Sequence, residues 1–254
     1  MSDKPILFIS DLHLEPGRPD ISQAFFSFLD AFAVKAQALY ILGDFFNLWL
    51  GDDHVTELST QIAGKLHALS NAGVAIKLMH GNRDFLMGES FAQSCGAELI
   101  QEPYLLDAFD QQILLLHGDV LCTRDHDYMS FRQMVRDPKW QQEFLSRPID
   151  ERIEFATKAR KQSQSMSSNK AADIMDVTPA DVTKTMLKHN IITLIHGHTH
   201  RPAVHEHPKV YESAVRMVLG DWDDGGWYIS WTPEQLFLHK IDSPVISDGN
   251  SSLK

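Results

Sequence analysis

Five short apolar runs, ILFIS, LYIL, AIKLM, ILLL and ITLI, each stop at a cluster of Asp, Asn, His and Gly. The clusters read Asp11-Leu12-His13, Gly43-Asp44, Gly81-Asn82-Arg83-Asp84, His117-Gly118-Asp119 and Gly197-His198-Thr199-His200. Runs of four or five residues rich in β-branched and large apolar side chains read as buried strands. A strand buries its body and presents its end, so five such ends can gather hard ligands around one point. One cluster alone is weak evidence; five in series constrain the fold to one that brings strand ends together.

The spacing of these runs predicts the architecture. Strand candidates lie at 6–10, 38–42, 74–79 and 113–116, and amphipathic stretches at 22–36, 56–71 and 90–94 separate the early ones. This alternation predicts an α/β sheet with helical crossovers. Residues 100–116 read as a hairpin turning near Asp110-Gln111-Gln112. From 122 to 190 strand patterns vanish and Glu, Gln, Arg, Lys, Met and Ala dominate, predicting a helical insertion. After Gly197 strand character returns at 211–219, 226–231 and 235–240, the first two flanking Asp223-Asp224-Gly225. The expected organisation is a core of 1–121 and 191–243, a helical cap of 122–190 over the active site, and a frayed tail of 244–254.

Composition narrows the functional classes. The 254 residues carry a net charge of −11, which disfavours nucleic acid as a partner because phosphate contacts need clustered Lys and Arg. Residues 121–170 differ: ten Lys and Arg against seven Asp and Glu give +3 there and −14 elsewhere. A locally basic segment on an acidic body fits an anionic partner near it, although charge alone favours an ordinary solvated helical face. Cys95 and Cys122 lack a CxxC pattern and read as free core thiols of a reducing compartment. The N-terminal apolar run is too short for a secretory signal, and no window of about 18 apolar residues predicts a transmembrane helix. A cytoplasmic protein is expected.

The clusters define the chemistry. In Asp11-x-His13, residues two apart on a strand point the same way, so a carboxylate and an imidazole should face one site. Gly43 lets backbone approach closely beside Asp44, Asn82 offers a neutral amide oxygen, and His117, His198 and His200 complete an O/N donor set without thiolate. That set suits Mn²⁺, Fe²⁺, Mg²⁺ or Zn²⁺. It suffices for two ions if one carboxylate bridges, and two ions about 3.5–4 Å apart can clamp a phosphoryl group and activate water. His54, His67, His126, His189, His205, His207 and His239 lack such a context and read as surface or structural groups; His196 adjoins the pair and by strand alternation shares its side.

The order DxH, GD, GNxD, a histidine at a strand end and GHxH resembles the calcineurin-like metallophosphoesterase superfamily, from about Ile6 to Arg201. The resemblance implies a sandwich of two sheets flanked by helices. It also implies that Asp11, His13, Asp44 and His200 hold one ion, and that Asp44, Asn82, His117 and His198 hold the other. Many members carry His after the Asn of GNxD; here Arg83 stands there. Arginine stays protonated and cannot act as a general acid, but it can bind phosphate bidentately. A phosphate monoester, with a second pKa of about 6, leaves without a proton, so Arg83 favours cleavage of a pyrophosphate over an alkyl phosphomonoester. Together with GNRD, the segments SDLHLEP, LGDFFNLWLGDD, LLLHGDVLCTRD, ARKQSQSMSSNKAADIMDV and IHGHTHRPAVHE look like the UDP-2,3-diacylglucosamine pyrophosphatase family of Gram-negative lipid A synthesis. That family would bring two Mn²⁺ ions and water attack at the α-phosphate of UDP-2,3-diacylglucosamine, releasing UMP and lipid X. It places the cap over the sugar and acyl chains, with Asn82, Arg83, Asp125, Ser163, Ser167, Lys170 and His198 on the substrate; Ser167 departs from the Asn common there. Arg160 is a further candidate for phosphate, and Phe131, Met134, Phe144 and Phe155 either line an acyl channel or simply pack between helices. A monomer associated with the cytoplasmic face of the inner membrane is implied. Other classes weighed were a nucleotide phosphodiesterase or phosphoprotein phosphatase, disfavoured by the long insertion and Arg83, and a scaffold, disfavoured because every ligand position is filled.

Overall fold

The computed structural model describes residues 4–167, 174 and 176–242, with side chains left out at 163–167. Lys170 and the tail expected at 244–254 therefore lie outside the described residues, as do the side chains of Ser163 and Ser167. Five strands correspond to the five apolar runs: β1 (Ile6–Ile9), β2 (Ala38–Leu42), β3 (Ala75–Met79), β6 (Gln111–Leu115) and β7 (Thr193–His196). Between them come α1 (Pro19–Ala31), α2 (Glu57–Asn71), α3 (Glu89–Ser94), β4 (Ala97–Ile100) and β5 (Tyr104–Ala108). Among the described residues, four α-helices lie between β6 and β7: α4 (His126–Val135), α5 (Pro138–Leu145), α6 (Ile149–Ser167) and α7 (Pro179–His189). The chain closes with β8 (Ala203–Glu206), β9 (Val215–Val218), β10 (Gly226–Trp231) and β11 (Leu236–Ile241).

Two sheets result, ordered β11-β10-β1-β2-β3-β4 and β5-β6-β7-β9-β8. The runs lack polar alternation because both of their faces are buried. Phe8, Tyr40 and Leu42 pack between the sheets with Ile113, Leu115 and Ile195. Their neighbours Leu7, Ile9, Leu39 and Ile41 face the outer core, which α1 and α2 cover with Phe25, Phe28, Ile62 and Leu66. On the far side Leu114 and Leu194 meet Val182 and Met186 of α7. The molecule is thus α/β, a two-sheet sandwich flanked by helices, as expected.

β1, β2 and β3 pair in parallel, as do β6, β7 and β9. Parallel neighbours put their carboxyl ends on one edge, where α/β sheets gather ligands.

Three local expectations need correction. The hairpin turns at Phe109 and Asp110, both with positive φ, as a two-residue turn demands; β4 precedes it as a separate parallel strand. The stretch read as 211–219 narrows to β9, and β8, four residues alternately half-buried and exposed at the sheet edge, offers too weak an apolar pattern to be read. Although a tight Asp-Asp-Gly segment separates β9 from β10, they belong to different sheets, because each finds its apolar partners elsewhere.

Candidate metal centre

The donors do not sit on strands. Asp11, His13, Asp44, His198 and His200 all lie beyond strand ends with φ between +50° and +67°, the left-handed region that non-glycine residues rarely adopt. Strand alternation therefore does not explain why Asp11 and His13 share a site. Interlocked loops do: Asp11 N donates to Gly43 O (3.1 Å), His13 N to Asp44 O (3.0 Å) and Leu14 N to Phe45 O (2.9 Å). Strain of this kind persists only where the surroundings over-determine it. Gly81 is closely surrounded, since a Cβ there would strike the backbone N and Oδ1 of Asp44.

The two sheets are tied at this edge. His117 Nδ1 donates to Leu42 O (2.9 Å) and His198 N donates to Asp11 Oδ2 (2.9 Å). With Nδ1 so occupied, His117 turns Nε2 to Asn82 Oδ1 (2.9 Å) and toward Asp44 Oδ1 (3.7 Å). Asn82 Oδ1 also lies 2.7 Å from His198 Nδ1. On the other side His13 Nε2 is 3.3 Å from Asp44 Oδ2, and His200 Nε2 is 3.4 Å from Asp11 Oδ1. Donor atoms of Asp11, His13 and His200 fall within 4.8 Å of one another, as do those of Asp11, Asp44 and His117. Asp44 thus reaches one histidine of each group, His13 and His117. All seven sequence-derived donors meet at one place.

Their charges interlock. Burial would raise Asp44, but His117, His13 and Arg83 hold its carboxyl well below the usual range. Burial would lower His117, yet Asp44, Asp119, Asp11 and Glu102 lift it to about 9. Burial opposes protonation of His200 as well, but Asp11 and Asp221 raise it to about 10. Burial, reinforced by His117, presses His198 down to about 4. The donor set fits divalent cations: carboxylate, imidazole and amide oxygen converge, and Asp11 Oδ1 is buried without a hydrogen-bond partner.

Supporting residues hold the donors. Ser10 Oγ donates to Asp11 Oδ2 (2.5 Å). Asp84 accepts from the backbone N–H groups of Gly81, Phe45 and Phe46, so it orients two ligand loops. Asp119 accepts from Tyr128 Oη and from Arg132 Nε (2.8 Å). Arg132 also pairs with Glu102, whose Oε2 accepts from His117 N (3.0 Å). The Tyr128 ring stacks on His198, and Arg136 donates to Gly81 O (2.9 Å). Asp221, 3.0 Å from His200 Nδ1, escaped the sequence reading although Leu219-Gly220-Asp221 repeats the strand-Gly-Asp signature of Leu42-Gly43-Asp44. Tyr128, Arg132 and Glu102 carried no such signal.

At the rim, Arg83 NH1 (2.5 Å) and Arg160 NH2 (2.8 Å) both donate to Asn47 Oδ1. Two guanidinium groups therefore converge on Asn47, and Arg83 also stands beside Asp44. Asp125 caps α4, accepting from Tyr128 N (3.0 Å). Phe144 stacks on Trp140, and Phe155 packs at a tilt to Trp140 and edge-on to Phe144, against the outer core, so these two pack between elements; Phe131 is half-buried and Met134 exposed. His196, which strand alternation puts on the side of the donors, instead turns away from them and lies between Gly197 O and Arg216.

Residues 4–202 match the model of the calcineurin-like phosphoesterases. The chain belongs to the calcineurin-like phosphoesterase family. Within it, the chain is 51% identical over 224 residues to a protein of Chromohalobacter salexigens named UDP-2,3-diacylglucosamine hydrolase, covering 88% of this chain and 91% of that one. A protein of the same name from Cellvibrio japonicus is 51% identical over 93% of this chain and 98% of its own. Another from Pseudomonas aeruginosa is 49% identical over 87% and 92%.

Proposed function

We propose that this chain hydrolyses the pyrophosphate bond of UDP-2,3-diacylglucosamine, with water attacking the α-phosphate and releasing UMP and 2,3-diacylglucosamine 1-phosphate, lipid X, in lipid A biosynthesis. The observation that carries the reading is the pair Arg83 and Arg160, two guanidinium groups sharing Asn47 Oδ1 with Arg83 also against Asp44, where two linked phosphates find two cations. The name shared by the relatives supports the lipid-linked substrate.

Asp11, His13, Asp44 and His200 would hold one Mn²⁺, and Asp44, Asn82, His117 and His198 a second. Bound ions of this kind neutralise phosphoryl oxygens and lower the pKa of water. Arg83 binds the phosphate at its entry to the site and stabilises charge as the sugar phosphate departs with the bridging oxygen. The leaving group needs no proton, which is why no general acid is required at position 83. Helices α4–α6, within the segment 122–190, act as a cap, and Asp125, Ser163, Ser167 and Lys170 contact the substrate beside Asn82, Arg83 and His198. The basic charge of 121–170 brings a monomeric, peripheral enzyme to the anionic cytoplasmic face of the inner membrane.

The test is Mn²⁺-dependent release of UMP from UDP-2,3-diacylglucosamine, with Asp11→Ala and His13→Ala alongside. Release that collapses in both variants is expected. No release, together with cleavage of a simple phosphodiester, would leave the metal chemistry standing and remove the lipid substrate.

A further inference from the structure

Behind the loop that carries His198 and His200 lies a separate cavity of about 200 Å³, lined by Asp176, Thr199, Arg201, His205 and Arg216 among others. Arg216 projects from β9 and is only 7% exposed. Its NH1 is 2.9 Å from His196 Nε2 and its Nε 3.4 Å from His207 Nε2. His196 Nδ1 donates to Gly197 O (2.8 Å), so His196 Nε2 is the unprotonated acceptor. The guanidinium thus meets neutral imidazoles, and no carboxylate among the described residues pairs with it. Asp176, on the same wall, is already paired with Arg201. His205, directly opposite Arg216 across the β8–β9 ladder, adds another ring to the wall. Thr199 Oγ1 is buried here without a hydrogen-bond partner.

A buried cation without an anion is costly, and so is a buried hydroxyl without a partner. A ligand that is small, anionic and rich in acceptors relieves both. We propose that this cavity is an oxyanion site, binding a phosphate-class anion through Arg216 and Thr199, distinct from the metal centre and in contact with the far side of its loop. The source of the anion is either free orthophosphate or the phosphate of a monoester.

The test is a titration of orthophosphate against the full-length, metal-loaded protein, read as the thermal unfolding midpoint, in wild type, Thr199→Val, Arg216→Gln and His13→Ala. A saturable rise is expected in wild type and in His13→Ala, whose metal centre is impaired. Thr199→Val should weaken apparent affinity about tenfold by removing one hydrogen bond to a charged ligand, and Arg216→Gln should abolish the rise. Thr199→Val removes a hydroxyl that has no partner, so its ligand-free midpoint should match wild type, and it decides the matter even if Arg216→Gln does not fold. No rise in wild type, a rise lost in His13→Ala, or an unchanged affinity in Thr199→Val would overturn the proposal. Repeating the series with UMP separates the sources: the same variant pattern admits monoesters, and no shift restricts the site to free phosphate.

Discussion

Arg83 engages both carboxylate oxygens of Asp44. Its backbone N–H donates to Oδ1 at 2.8 Å and its Nε stands 3.4 Å from Oδ2. The residue that would meet the substrate is therefore also a brace for a metal ligand, and its two roles are separable. Arg83→Lys keeps the backbone bond and the charge but loses the planar fork. We expect metal content to stay at wild type while kcat falls on the order of a hundredfold, as for loss of one transition-state donor. Arg83→His should shift preference toward alkyl phosphomonoesters by offering a general acid. Wild-type preference for such monoesters would defeat the leaving-group argument.

Metal binding should be strongly pH-dependent. His117 and His200, raised to about 9 and about 10, are protonated in the metal-free protein at neutral pH, and a ligand imidazole must give up that proton. Loading should release protons, and apparent affinity should rise with pH until those values are passed. Calorimetry at pH 7.5 in buffers of different ionisation enthalpy measures the proton count; release of none would contradict the assignment of both histidines as ligands.

Gly81→Ala tests the close approach of two ligand loops. The added Cβ would meet the backbone nitrogen of Asp44 and its Oδ1, a buried carboxylate oxygen already held by Arg83 N. Metal content should fall sharply and activity at least a hundredfold, since small misplacements at a reacting centre cost that much. Elemental analysis of the purified variant reads the first effect directly. Full metal occupancy would show that the loops can separate.

Arg132 joins two buried carboxylates, Glu102 and Asp119. Arg132→Met should destabilise by roughly 3–5 kcal/mol, the cost of stranding buried charge, measured by urea unfolding. Tyr128→Phe removes only the hydroxyl that donates to Asp119 and keeps the ring on His198. It should cost about 1–3 kcal/mol. If the two substitutions cost the same, the buried charge is not what Arg132 serves.

How far the sequence reaches is clearest at the donors. Asp11, Asp44, Asn82, His117, His198 and His200 stood out because each ends an apolar run, and a run that buries both faces is recognisable without partners. The parallel core strands and α1–α3 followed from the same local signal. What sequence missed needed neighbours from afar. Asp11 and His13 come together through left-handed loops bonded to Gly43 and Asp44, not through strand alternation, because cross-loop hydrogen bonds override a local period. Asp221 reaches His200 only once β9 lies beside β7. Tyr128, Arg132 and Glu102 meet at His117 and His198 only once α4 folds back over the strand ends, and Arg216 becomes a buried cation only when His196 and His207 close around it. The sequence by itself determined which side chains can ligate and which runs are buried, since both depend on residue type and short spacing. Only the tertiary structure decided their conformation, their partners and their charges, since those arise from contacts between segments far apart in the chain.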